Sequence, residues 1–352
     1  MRVLSVVGAR PQFVKLAPIA RAMAGRAEHI VVHTGQHYDE LMSDVFFRDL
    51  GIPAPDVNLA IGSGRHGEQT GAMLRAIEPV FERYQPDWIL VYGDTNSTLA
   101  AAVAAVKLHL PVAHLEAGLR SFNRRMPEEH NRVLTDHAAD LLLAPTEVAM
   151  SHLRDEGLAA RSVLVGDVMT DVLFRVRDFV SAAPRLLPEG VRPGDYYVAT
   201  IHRPDNTDDP ERLREIVKQL AAVDRPVALL VHPRLAHAAA DQGIDLAQGA
   251  IRPTAPLAYP ELVHAVMHSV GVVTDSGGLQ KEAFLLRVPC TTVRPETEWV
   301  ETVELGWNVL VGSELQRITA SVSRPWPADT DAAPYGDGHA ARRVVTALDE
   351  HC

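Results

Sequence analysis

Only two of the 352 residues are cysteine, Cys290 and Cys352. That number excludes a disulfide framework, and it leaves no cysteine cluster to hold a metal. Cys290 sits in the apolar run VPCTTV and reads as a small core residue, while Cys352 ends the sequence. Aromatic residues make up 5% of the chain, and no basic stripe is interleaved with them. A nucleic-acid partner is therefore not expected. Basic residues are also the minority, 34 against 45 acidic ones, for a formal net charge of −11. An acidic chain can still bind a pyrophosphate, because local N–H groups and a few Arg or Lys set the local field. No apolar run approaches a membrane-spanning length, so no membrane partner is expected. The N-terminal run MRVLSVVGARP is too short for a signal peptide, and we expect a cytoplasmic protein. No G-x-x-x-x-G-K-[ST] phosphate loop is present, and we find no internal sequence repeat.

The chain does have length and apolar content. It is long enough for two ordinary domains, and 47% hydrophobic residues suffice for large cores. Near-continuous apolar runs, the pattern of strands buried on both faces, occur at 3–8, 29–34, 87–92, 112–115, 141–144 and 162–165. Helical stretches alternate with them, at 11–24, 40–50, 68–84, 97–108, 128–137 and 147–156. Such alternation predicts α/β architecture with a doubly wound parallel sheet. The segment 171–191 is helical and then proline-rich, and the pattern restarts beyond it. Strands are expected at 196–201, 227–231, 271–274 and 289–293, with helices at 210–223, 259–269, 279–286 and 299–303. We read a first domain over 1–168 and a second over 169–335. A final helix, within 336–352, is expected to pack back on the first through Ala340, Val344, Val345 and Leu348.

Chemistry-bearing residues gather where these strands end. The first turn reads Gly8-Ala9-Arg10-Pro11, with Lys15 a helical turn further on. Glycine frees a tight exit, and backbone N–H groups and Arg10 there suit phosphate. Asp94 follows another strand directly; it either caps the next helix or serves as an acid–base group. Glu116 closes a third strand, with Gly118 after it. Glu128, Glu129 and Arg132 open the helix after that, where acids are ordinary dipole partners. Three acids near strand ends of one domain go beyond that, because like charges sharing a site separate their pKa values and make acid–base pairs. In the second half, His202-Arg203 and His232-Pro233-Arg234 leave strands, and Ser276-Gly277-Gly278 forms an anion-type turn with Glu282 one helical turn on, suited to ribose hydroxyls. Two sheets serving one anionic, nucleotide-bearing substrate is the reading these turns favour.

Two patterns are set aside. Residues 62–67 (GSGRHG) match G-x-G-x-x-G but follow a short apolar run outside the first βα turn, so no NAD site is assigned. His264 and His268 have metal-ligand spacing without an acid between them, and we expect no metal. His33 and His37 flank Gly35-Gln36 as polar loop groups.

Together the ordered stretches GARPQFVK, HTGQHYDELMS, VYGDTNST, HLEAGLRSFNRRMPEEHNR, TIHRPDN, TDSGGLQKEA and RPETEWVE resemble the non-hydrolysing UDP-N-acetylglucosamine 2-epimerases nearly end to end. The resemblance implies a GT-B-like architecture of two Rossmann-like domains with the active site in the cleft between them. It implies inversion at C2 of UDP-GlcNAc to UDP-ManNAc, through anti elimination of UDP to 2-acetamidoglucal and re-addition, with no cofactor. It implies catalytic roles for Asp94, Glu116, Glu128, Lys15 and His202. It places UDP-sugar contacts at Arg10, Arg132, His232, Ser276, Gly277, Gly278 and Glu282, and a homodimer as the working assembly. The chain reads ARPQ where many members carry TRPE, VHPR for VHLNP and YDELMS for REML. These variants also occur in epimerases acting on UDP-2,3-diacetamido-2,3-dideoxy-glucuronic acid, which is the alternative substrate. A GT-B glycosyltransferase, a hydrolysing variant and a non-catalytic nucleotide-sugar sensor are the rival readings.

Overall fold

A computed structural model of the chain describes residues 1–35, 54–182 and 186–352. The helix read at 40–50, His37, the YDELMS stretch and Pro184 lie outside those residues. The chain divides into two compact units, Met1–Phe174 with Ala333–Cys352, and Arg175–Ala332.

In the first unit the described residues form a seven-stranded sheet: β1 (Arg2–Val7), β2 (Glu28–His33), β3 (Val57–Asn58), β4 (Trp88–Tyr92), β5 (Val112–Leu115), β6 (Leu141–Ala144) and β7 (Ser162–Leu164). All pairs are parallel, in the order β3-β2-β1-β4-β5-β6-β7. β4, β5 and β6 are buried along their whole length, since helices cover both faces. The order reverses between β1 and β4, and the carboxyl ends there are where such sheets bind ligands.

The second unit repeats the design with six strands: β8 (Tyr197–Thr200), β9 (Val227–Leu230), β10 (Ile251–Thr254), β11 (Gly271–Thr274), β12 (Cys290–Thr292) and β13 (Asn308–Leu310). Their order is β10-β9-β8-β11-β12-β13, again all parallel, with the reversal between β8 and β11. Sequence patterning missed β10 and β13. Both are edge strands, and β10 (IRPT) is half exposed and carries Pro253, which an edge tolerates because no ladder donor is needed there. It also missed the helix Pro233–Asp241, whose Leu235 and Ala239 are its buried residues.

The helix Ala340–Glu350 belongs to the first unit. Val344, Val345 and Leu348 are fully buried in one cluster with Phe13, Leu16, Ile19 and Met23 of the helix Arg10–Met23. Its N-terminus is capped from outside: both carboxylate oxygens of Asp171 accept from Ala340 N and Ala341 N, at 2.9 and 2.8 Å. A negative group there also meets the positive end of the helix dipole. The indole Nε1 of Trp88 donates to Leu348 O at 3.1 Å. Leu348→Ala is expected to cost about 2–5 kcal/mol of unfolding free energy in a urea titration, as a transfer loss plus an unfilled cavity.

Candidate active site

β1, β4 and β5 lie side by side, so the residues leaving them are neighbours. Gln12, in the first turn of the helix Arg10–Met23, is buried and ties two of those exits together. Its Oε1 accepts from Gly8 N at 2.8 Å and Ala9 N at 3.0 Å, while its Nε2 donates to Tyr92 O at 2.8 Å. This corrects one expectation. The N–H groups of Gly8 and Ala9 are not phosphate donors, because the amide of Gln12 folds back and takes both. Arg10 begins the same helix; its side chain lies outside what the structure describes.

Lys15, one turn further along, reaches Glu116 at the end of β5, and the two form a largely buried ion pair. Burial works against the ammonium, but the Glu116 carboxylate beside it, with Asp94 and Asp167 behind, more than compensates. The Lys15 pKa is raised above its ordinary value. Glu116 itself turns through φ +70°, a left-handed conformation that non-glycine residues rarely adopt. Its N–H and that of Ala117 both donate to Leu143 O, at 3.1 and 3.3 Å, which holds the turn. Gly93, also left-handed, lies against this pair; a Cβ there would come within 3.3 Å of Glu116 Oε2 and 3.5 Å of Lys15 Nζ.

Asp94 does not cap the following helix. Thr95 does, its side chain accepting from Thr98 N. The Asp94 carboxylate meets Arg132 instead, with Nη2–Oδ2 at 2.5 Å. Arg132 also donates to Glu129 Oε2 at 2.9 Å, and Asn131 Nδ2 donates to Asp94 O at 2.9 Å. The neighbouring acids Glu128 and Glu129 thus separate. Glu129 is buried and accepts from Ser121 N, Ser121 Oγ and Phe122 N at 2.8–2.9 Å. Glu128 stands exposed on the first turn of the helix Pro127–Ala138. Among the described residues no hydrogen bond joins it to Asp94 or Glu116. His33 is buried, its ring edge-on to Phe13 at 4.9 Å, and burial lowers its pKa.

In the second unit the organising group is Asp275, fully buried after β11. It accepts from His202 N at 2.9 Å, Arg203 N at 2.9 Å and Asn206 Nδ2 at 3.0 Å, and His202 Nδ1 stands 3.1 Å away. Burial opposes the charge, and the hydrogen bonds from His202 and Asn206 outweigh it, holding the carboxyl below its usual range. The half-exposed ring of His202 lies 5.5 Å from that of His232, between centroids. His232 is exposed and caps the helix Pro233–Asp241, its Nδ1 accepting from Arg234 N at 3.2 Å. Ser276 is the N-cap of the helix Gly277–Leu285, its N–H donating to Thr274 Oγ1 at 2.9 Å. Gly278 is exposed, with open space where a side chain would stand. Gly277 faces the ion pair Arg294–Glu298, bidentate at 3.0 and 2.9 Å. Glu282 accepts from Tyr259 Oη at 2.9 Å.

The sequence reading did not single out Gln12, His114, Asn131 or Asp136 as site residues, nor Arg294 and Glu298. All of these but Asp136 lie inside the stretches that carry the family resemblance. No group of three His, Cys, Asp or Glu that could hold a metal ion occurs among the described residues. His264 and His268 stack, with centroids 4.2 Å apart, and His268 Nδ1 donates to His264 O at 2.9 Å. No described helix is long and apolar enough to cross a membrane.

Two doubly wound parallel sheets, each with charged side chains gathered at its switch point, define a GT-B-type α/β enzyme. The family model described as UDP-N-acetylglucosamine 2-epimerase matches residues 21–349. A Pseudomonas aeruginosa relative named UDP-2,3-diacetamido-2,3-dideoxy-D-glucuronate 2-epimerase is 46% identical over 99% of both chains. The Methanocaldococcus jannaschii UDP-N-acetylglucosamine 2-epimerase is 39% identical over 99% of both. A crystal structure of the M. jannaschii enzyme in complex with UDP-GlcNAc and UDP superposes with a TM-score of 0.80, at 38% identity, covering 99% of this chain and 100% of that one. The chain belongs to the UDP-N-acetylglucosamine 2-epimerase family, and its class of enzyme is an isomerase that epimerises.

Proposed function

We propose that the protein inverts C2 of a UDP-linked 2-acetamido sugar, converting UDP-GlcNAc to UDP-ManNAc. The observation that carries this reading is the pair of strand-end acids, Asp94 after β4 and Glu116 after β5, adjacent in one sheet and each gripped by a cation. Inversion needs a group that takes a proton from one face of a carbon and a group that returns one to the other; a single carboxylate cannot do both. In the forward step a carboxylate takes the C2 proton. The C2–H electron pair becomes the C1=C2 bond of 2-acetamidoglucal, and the C1–O electrons leave with UDP. UDP then attacks C1 while a carboxylic acid protonates C2 from the opposite face. Glu128 supports this as the third acid, steering the glucal. Arg132 holds Asp94. Lys15 and His202 offset charge developing on the departing diphosphate.

Arg10, His232, Ser276, Gly277, Gly278 and Glu282 are proposed to hold the UDP. Gly278 supports this by leaving open space beside a helix N-terminus. A cytoplasmic homodimer completes the reading, on the family resemblance alone. The second substrate reading is UDP-2,3-diacetamido-2,3-dideoxy-glucuronic acid, favoured by the 46% identity to the P. aeruginosa relative. Proton NMR of the purified protein with each sugar separates the two. In deuterium oxide, deuterium is expected at C2 of the epimer formed. An epimer that keeps its original C2 proton would remove the elimination route, and free sugar plus UDP as the only product would favour hydrolysis.

A further inference from the structure

Beneath the two acid-bearing turns lies a polar chain, buried except at its outer end, Glu156. His114, on β5 two residues before Glu116, is flanked by oxygens at both ring nitrogens. Nδ1 lies 2.6 Å from Asp136 Oδ1, and Nε2 lies 2.7 Å from Gly93 O, the carbonyl just before Asp94. The Gly93 carbonyl can only accept, so Nε2 donates to it. Asp136 comes from the helix Pro127–Ala138. Its Oδ2 accepts from Gly118 N at 3.1 Å, two residues after Glu116, and from Arg120 Nη1 at 2.7 Å. Arg120 in turn grips Glu156 with two bonds, at 2.7 and 2.8 Å. The imidazole and carboxylate of the His114–Asp136 pair have no solvent exposure. Burial opposes charge on Asp136, and His114 and Arg120 overcome it, so its carboxyl lies below the usual range.

One carboxylate thus fastens both catalytic turns: the Asp94 turn through His114 and Gly93, and the Glu116 turn directly at Gly118. The helix that supplies it also supplies Asn131 and Arg132 to Asp94 and bears Glu128 on its first turn. Residues 128, 132 and 136 are spaced by four and share one helix face. A residue at φ +70°, such as Glu116, persists only where its surroundings over-determine it. Burying three ionisable side chains, His114, Asp136 and Arg120, is poor value for stability alone, since well-packed apolar residues do as well or better.

We propose that His114 and Asp136 are positioning residues for the epimerisation, a pair that sets the spacing of Asp94 and Glu116 across the sugar. The inference rests on the functional reading above. In His114→Asn and Asp136→Asn, kcat is expected to fall about 100-fold, the cost of an ångström-scale misplacement, with KM within about threefold. In an Asp94→Asn background the His114 change is expected to cost less than about threefold, because the acid it positions is already disabled. A folded variant with wild-type kcat, or a full second loss in the Asp94→Asn background, overturns the proposal. Crystal structures of the variants give a readout without turnover. The 93–94 turn is expected to shift relative to Glu116, and a turn that superposes on the wild type also overturns it. If neither variant folds, 15N-labelled histidine in the wild type decides: the His114 ring signals are expected to move on saturation with UDP-sugar, and unmoved signals overturn the proposal. A wild type that epimerises neither sugar defeats the functional reading, while the crystallographic result still judges the positioning.

Discussion

Asp94→Asn and Glu116→Gln are each expected to lower kcat by about 10²–10⁴-fold, the range for removing a positioned general acid or base. This corresponds to about 2.7–5.4 kcal/mol of lost transition-state stabilisation. Proton NMR of the product and deuterium uptake at C2 read the effect, with circular dichroism confirming the fold. KM is expected to change little, because neither acid is among the residues proposed to hold the UDP. The two variants differ in stability. Asp94 is partly exposed, an amide can still accept from Arg132, and the Asn131 bond goes to the backbone carbonyl, which the change leaves intact. Glu116→Gln leaves the Lys15 ammonium largely buried without its counter-charge, so the burial that already opposes that charge is unanswered. Glu116→Gln is expected to unfold at the lower temperature. Full turnover in either variant would remove that carboxyl group from the mechanism.

The second large effect is expected at Asp275. Asp275→Ala leaves two backbone N–H groups, the Asn206 amide and the His202 ring without their shared acceptor in a buried site. The cost is about 3–5 kcal/mol of unfolding free energy by urea titration. UDP affinity, by calorimetry, is expected to fall at least about tenfold as His202 loses its anchor. Acid should report the same group. A carboxyl held below its unfolded value contributes stability that is complete above the unfolded pKa, near 3.9, and is lost as the pH falls through the lower folded value. The wild type is therefore expected to lose stability steeply below about pH 4, and Asp275→Asn to show a flatter curve there. Equal slopes would assign the acid sensitivity to other carboxylates, Asp136 first among them.

The strand-end acids were readable because a strand buried on both faces writes itself as an unbroken apolar run, and the run stops at the residue that matters. ILVYGD and VAHLE show this directly. Edge strands escape for the opposite reason: half-exposed β10 needs neither continuity nor a proline-free backbone. Pairings across the sheet were not readable. Lys15 meets Glu116 over 101 residues and Arg132 meets Asp94 over 38, contacts fixed only once β1, β4 and β5 are known to be neighbours. The same holds for the two glutamates of PEEH. Adjacent on a helix, they point about 100° apart, and only the packing of the 121–122 loop decides which is buried. Gln12 shows the limit most clearly: its turn could be read as a phosphate cradle, and its own amide fills that cradle.

The left-handed backbone at Glu116 has a consequence for engineering. Glycine would relieve about 1–3 kcal/mol of conformational penalty at that position. The same change would strand the Lys15 ammonium without its counter-charge, at about 3–5 kcal/mol, so a screen for heat-resistant variants is expected to pass the position over: the ion pair locks the unfavourable turn in place.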